Sequence, residues 1–94
     1  MRRAGRIDAN QRAIVLALRK AGCSVAILSS VGAGVPDLLA GYRGRNVLLE
    51  VKRDAKAARR KDQLTQRQIQ ESWRGDIVTV LTVDEALRAV GAVK

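Results

Sequence analysis

The chain has 94 residues, a length suited to one domain that buries about 60–65% of the surface its unfolded form exposes. Its 18 Lys and Arg against 9 Asp and Glu give a net charge of +9, and it contains no histidine and one cysteine. Histidine-dependent zinc sites, Ser-His triads and histidine-metal endonucleases are thereby excluded, as is an internal disulfide. Such a basic domain calls for a polyanionic partner, and nucleic acid is the commonest one.

In chain order, "MRRAGRID" lacks the apolar stretch of a signal peptide. Asp8 then stands before "ANQRAIVLALRKAG", where Ile7, Gln11, Ile14, Leu18 and Ala21 recur at helical spacing and Gly22 offers a stop. Asp8 with Gln11 three residues later has the form of a capping box. Cys23 follows in apolar surroundings that mark it as a small buried hydrophobe, and a single thiol fits a reducing compartment. "CSVAILSSV" reads as a short strand, ended by a glycine-rich turn in which Ser30, Gly32 and Gly34 either let a phosphate approach the backbone or simply form a tight bend.

"VPDLLAGYRGRNVLLEVKR" supplies two further strands, about 35–41 and 46–53, with "YRGR" as the hairpin turn. "KRDAKAARRKD" is charged and almost free of large apolar groups, so a mobile basic loop is expected over about 53–62. "LTQRQIQESWRG" predicts a second helix, with Thr65 and Gln68 as a capping pair and Ile69 with Trp73 as a buried i,i+4 pair. "DIVTVLT" predicts a fourth strand. Thr82 and Glu85 then cap a last helix whose Val83, Ala86, Leu87 and Val90 share a face. The order α-β-β-β-α-β-α makes one α/β domain over residues 1–94 around a small mixed sheet.

The chemistry concentrates in the hairpin. Residues two apart on a strand share a face, so Glu50 and Lys52 are neighbours while Leu49 and Val51 turn the other way. Antiparallel pairing about "YRGR" brings Asp37 across from them. Two carboxylates and an ammonium on one patch invite a divalent cation, because paired like charges are costly without a counter-charge. Mg²⁺ suits oxygen donors such as Asp37, Glu50 and the Val51 carbonyl, with water and phosphate filling the remaining positions, and Mn²⁺ is a possible substitute. The plainer alternative is a surface ion pair between Lys52 and one acid. No apolar run approaches the length of a membrane span.

"GVPD" followed by "LLEVK" resembles the PD-(D/E)XK nuclease signature, and over about Ile7 to Gly91 the chain is similar to small stand-alone VRR-NUC-type nucleases of bacteriophages and prophages. The leading helix, "LTQRQ" and "WRG" carry further parts of the likeness. The resemblance implies a restriction-endonuclease-like sandwich, with Asp37 and Glu50 as metal-binding carboxylates and Lys52 as the catalytic lysine. Gln68 would lie near the active site. An additional acid from the leading helix is common in the superfamily; here only Asp8 or Gln11 stands in that region. Relatives commonly have proline where this chain has Gln66. The resemblance also implies a Holliday-junction-resolvase-like homodimer that cuts branched DNA, in the cytoplasm of a bacterium or phage-infected host. Arg43, Arg45, Lys56, Arg59, Arg60, Lys61 and Ser30 are the expected contacts to the DNA backbone. A non-catalytic basic DNA-binding module on the same fold is the competing expectation, and a small RNA- or ribosome-associated protein a third.

Overall fold

In the computed structural model, residues 9–53 and 64–93 are described, the side chains of 64–67 excepted. Helix α1 (Ala9–Lys20) is followed by β1 (Ser24–Ile27), β2 (Leu38–Tyr42) and β3 (Arg45–Val51). Helix α2 (Leu64–Ser72) then leads into β4 (Ile77–Val80), and α3 (Val83–Val90) completes the order expected from the sequence. The four strands form one mixed sheet in the order β1-β2-β3-β4, antiparallel between the first three and parallel between β3 and β4. A small α/β domain is therefore correct. The basic stretch after Arg53 lies outside the described residues.

Helices α1 and α3 pack on each other and cover one face of the sheet, α1 over β1 and α3 over the other strands. Ile14, Val15 and Leu18 of α1 meet Leu38, Ala40, Val47 and Leu49 of the central hairpin, with Val80 and with Ala86 and Val90 of α3. Cross-strand partners share a face, and Leu38 opposite Leu49 and Ala40 opposite Val47 make the floor of this core. Burial of these aliphatic side chains stabilises the fold by roughly 1.5–3 kcal/mol each for the larger ones. Cys23 joins them as expected, and burial raises its thiol pKa, so it remains protonated.

Local signals set most element ends. Gly22 at φ 101° stops α1. The hairpin turn is the two-residue Arg43-Gly44, both at positive φ (52° and 83°), the type I′ geometry whose twist matches the strands. Its strands run 38–42 and 45–51 against the expected 35–41 and 46–53: each reaches one residue closer to the turn, β3 stops two residues sooner, and β2 starts three residues later, after Pro36, which lacks the N–H a ladder needs. Thr82 caps α3 by accepting a hydrogen bond from the Glu85 amide at 3.0 Å. The Glu85 carboxylate reaches back to the Leu81 amide at 2.6 Å, one residue earlier than the capping-box pattern predicts.

Three local expectations are corrected. Helix α2 begins at Leu64, so Thr65 lies inside its first turn and not at its cap. The helix ends at Ser72, which leaves Trp73 beyond it and 47% exposed, so no buried Ile69–Trp73 pair forms. Ala21 likewise falls past the end of α1 and is exposed, while Val15 takes its place on the buried face. Among the described residues, no helix is long and apolar enough to cross a membrane.

Candidate active site

Continuing the register of Leu38 opposite Leu49 by one step brings Asp37 opposite Glu50. The Asp37 carboxylate takes up that position directly: its Oδ2 accepts a hydrogen bond from the Val51 amide at 2.8 Å. Its own carbonyl accepts from the Leu28 amide at 2.7 Å, which ties the end of β1 to the start of β2. The connection between them turns through Gly32, Ala33 and Gly34, all at positive φ. Glycine at two of these three positions meets a backbone demand, so a tight bend accounts for the glycine spacing, with Ser30 exposed on it.

Glu50 alternates with the core residue Leu49 and therefore faces away from the α1–α3 layer, yet it is only 2% exposed. Both of its carboxylate oxygens are bonded. Lys52 Nζ donates to Oε2 at 3.0 Å, and Gln70 Nε2 of α2 donates to Oε1 at 3.0 Å. Burial is the largest influence on Glu50 and raises its pKa; the negative charge of Asp37 raises it further, and hydrogen bonds and charge from Lys52 with the Gln70 amide offset part of this. The result is a carboxyl with a pKa pushed up to about 7.

The backbone of Lys52 is held from both sides. Its amide donates to the Val80 carbonyl at 3.0 Å, which extends the parallel β3–β4 pairing by one residue. Its carbonyl accepts from Asn10 Nδ2 at 2.9 Å, and the same amide nitrogen donates to the Leu81 carbonyl at 3.1 Å. Asn10 thus clamps the ends of two parallel strands to the first turn of α1. Next to it, the buried Gln11 donates to Ser29 Oγ at 3.0 Å, so its side chain turns inward to the β1–β2 connection.

Of the residues singled out from sequence, Asp37, Glu50, Val51 and Lys52 converge on this patch. Gln68 does not: it is exposed, and Gln70 makes the contact with Glu50. Ile69 and Gln70 are both half-buried, while Gln68 and Glu71 on either side of them are exposed. The capping pattern pointed to Gln68, and no periodic signal in this helix singles out Gln70. Asn10 was also missed, although it stands one turn before the buried Ile14. Arg43 and Arg45 lie at the opposite end of the hairpin. Asp8, Lys56, Arg59, Arg60 and Lys61 lie outside the described residues.

Among the described residues, no cluster of three or more His, Cys, Asp or Glu side chains forms a ready-made metal cage. The oxygen donors here are the two carboxylates and backbone carbonyls. Comparisons with family models, with curated proteins and with solved structures return no match for this chain.

Proposed function

We propose that this chain is a metal-dependent endonuclease that hydrolyses phosphodiester bonds in DNA, acting on branched structures such as Holliday junctions. One observation carries the reading: a carboxylate that is 2% exposed is held between a lysine and a glutamine, directly opposite a second carboxylate. Burial, and after it the charge of Asp37, raises the Glu50 pKa to about 7, a free-energy cost that a structural role alone does not require. The net charge of +9 supports a polyanionic substrate.

In this reading Asp37 and Glu50, with the Val51 carbonyl, would hold Mg²⁺, with Mn²⁺ as a substitute. One or two carboxylates completed by water and phosphate are a donor set that Mg²⁺ accepts. Bound there, the cation neutralises the paired carboxylates and lowers the pKa of a coordinated water. The chain's own groups position the rest. Lys52 presents an ammonium, 13% exposed at the side chain, to a phosphate oxygen whose charge grows as water attacks phosphorus and the P–O bond to the leaving oxygen breaks. Gln70 fixes the Glu50 rotamer, and Asn10 fixes the strand end that carries Lys52.

A non-catalytic, DNA-binding role draws on a different observation. Both Glu50 oxygens are already bonded within the protein, as in a buried structural ion pair. One assay separates the two readings. A labelled four-way junction is incubated with Mg²⁺ or with EDTA, alongside flap, nicked and single-stranded DNA. Metal-dependent cleavage that disappears in Lys52→Ala is expected; no cleavage of any of these substrates overturns the enzyme reading. A homodimer would let two such sites address opposing strands, and a solution mass of twice the 10.2 kDa of one chain is the expected measurement.

A further inference from the structure

Trp73 is the one tryptophan of the chain, and it stands 47% exposed, outside both the core and the half-buried residues packed on that core. Tryptophan is highly buried on average, because its indole is a large apolar group that a fold gains by removing from water. The packing here gives no reason for the ring, yet the chain holds it at a set place. Helix α2 reaches the carboxylate patch through Gln70, which donates to Glu50 Oε1 at 3.0 Å. Trp73 follows about one turn later, and its amide donates to the Gln70 carbonyl at 3.3 Å. A Cβ at Gly75 would meet Trp73 Nε1 at 3.3 Å and Cδ1 at 3.6 Å, with no other atom of the indole within 4 Å. The five-membered ring therefore lies against the Gly75 backbone, an approach that the missing side chain permits.

The charge around the ring narrows what it can meet. Residues 71–76 are all exposed. Arg74, next to the ring in sequence, forms no ion pair among the described residues. Asp76 is taken by Arg45 at 3.0 Å, and Glu71, two residues before the ring, does not face it. An exposed indole beside an available guanidinium is the pairing that holds single-stranded nucleic acid, where bases stack on the ring and phosphates meet the cation. The net charge of +9 favours the same partner over an apolar protein surface.

We infer that Trp73 is a stacking platform for an unstacked base of a DNA strand, with Arg74 on the adjoining phosphate. Inside a continuous duplex each base is already stacked on both faces, so the indole gains nothing there. A base at an open branch point or in a single strand has a free face to offer. Every base has such a face, so the platform selects structure and not sequence. A preference for branched DNA then has a physical source in this chain, about one turn from the residue that bonds Glu50. The inference deepens the reading proposed above by naming what is recognised in the substrate; it rests on the DNA partner and is independent of cleavage.

Because the chain has one tryptophan, its emission reports on this site alone. The wild type is titrated in EDTA with oligothymidylate, an open four-way junction and a blunt duplex. Oligothymidylate and the junction are expected to quench the emission, and the duplex to leave it nearly unchanged. Affinity is read from the anisotropy of fluorescein-labelled oligothymidylate over a series of salt concentrations. Trp73→Leu is expected to weaken binding about fivefold to a hundredfold and to leave the slope of log K against log salt unmoved, since the ring carries no charge. Trp73→Phe is expected to recover most of the loss, and Arg74→Ala to lower the slope by about 0.7. Unchanged affinity in Trp73→Leu overturns the inference, as does a loss that Trp73→Phe does not restore. Equal quenching by an abasic deoxyribose-phosphate oligomer, or none by any DNA, overturns it too. An emission that shifts with protein concentration alone makes a second copy the occupant and overturns it as well. A protein that shows the quenching and never cuts with Mg²⁺ keeps this inference while the nuclease reading fails; cleavage with Trp73 unquenched does the reverse.

Discussion

The two ends of the β2–β3 hairpin use the same pair of strands for opposite purposes. At the start of β2 and the end of β3, charged groups are buried and bonded: Glu50 is 2% exposed, and Asp37, Lys52, Gln70 and Asn10 hold one another or the strand ends in place. At the turn, charge is exposed and the backbone is strained, with Arg43 at positive φ and Arg45 half-exposed against Asp76. The difference is one of cover. Gln70 of α2 and the β3–β4 pairing reach the first end, whereas at the turn Arg43, Gly44 and Arg45 are exposed. A buried end can hold groups at defined distances and shift their pKa values, while an exposed cationic end suits capture of a phosphate backbone.

The sharpest way to break this contrast is to remove the ammonium at the buried end. Lys52→Ala is expected to lower Mg²⁺-dependent cleavage at least about 10²–10³-fold, a loss measured with the junction substrate at saturating protein. Because Lys52 holds the Glu50 pKa down, the same variant is expected to move the Glu50 titration above about 7, as read from carboxyl chemical shifts.

Next in size is the pH dependence of stability. Glu50 titrates at about 7 in the folded protein against 4.5 for the ordinary carboxyl, so the folded state keeps a proton that the unfolded chain releases. Its contribution is therefore complete below about pH 4.5, falls as pH rises through 4.5–7, and is lost above that, a change on the order of 3 kcal/mol. Glu50→Gln, which cannot ionise, is expected to lack that fall and to be the more stable protein at pH 7.5 in EDTA. Urea midpoints of the two proteins at pH 5 and 7.5 measure it, and equal pH dependence would refute the assignment to Glu50. Millimolar Mg²⁺ is expected to raise the midpoint of the wild type at pH 7.5 and leave Glu50→Gln unmoved.

A smaller effect is expected from the clamp on the strand ends. Asn10→Ala removes the donor to the Lys52 and Leu81 carbonyls and is expected to cost about 1–3 kcal/mol. If the clamp positions Lys52, cleavage by the folded variant falls as well; full activity with reduced stability would confine Asn10 to the fold. The smallest expected change comes from the cap of α3. Thr82→Ala loses the cap on α3, about 1 kcal/mol, and leaves cleavage and DNA affinity unchanged.

Much of this molecule is determined by local pattern. The α-β-β-β-α-β-α order, the Arg43-Gly44 turn, the cap at Thr82 and the shared face of Glu50 and Lys52 all follow from side-chain period and turn chemistry within a few residues. Asp37 was within reach too, because a two-residue turn sets the register of its whole hairpin. The partners of that patch were not. Gln70 meets Glu50 across 20 positions of the chain, a contact that depends on how α2 is set against the end of β3 and not on any pattern within the helix. Asn10 reaches Lys52 across 42 positions of the chain, and no local signal encodes a contact between a helix start and the end of a parallel strand pair. The depth of Glu50 is also a tertiary property. A strand residue opposite the core is exposed or buried according to what lies over its face, and here that cover raises its pKa to about 7.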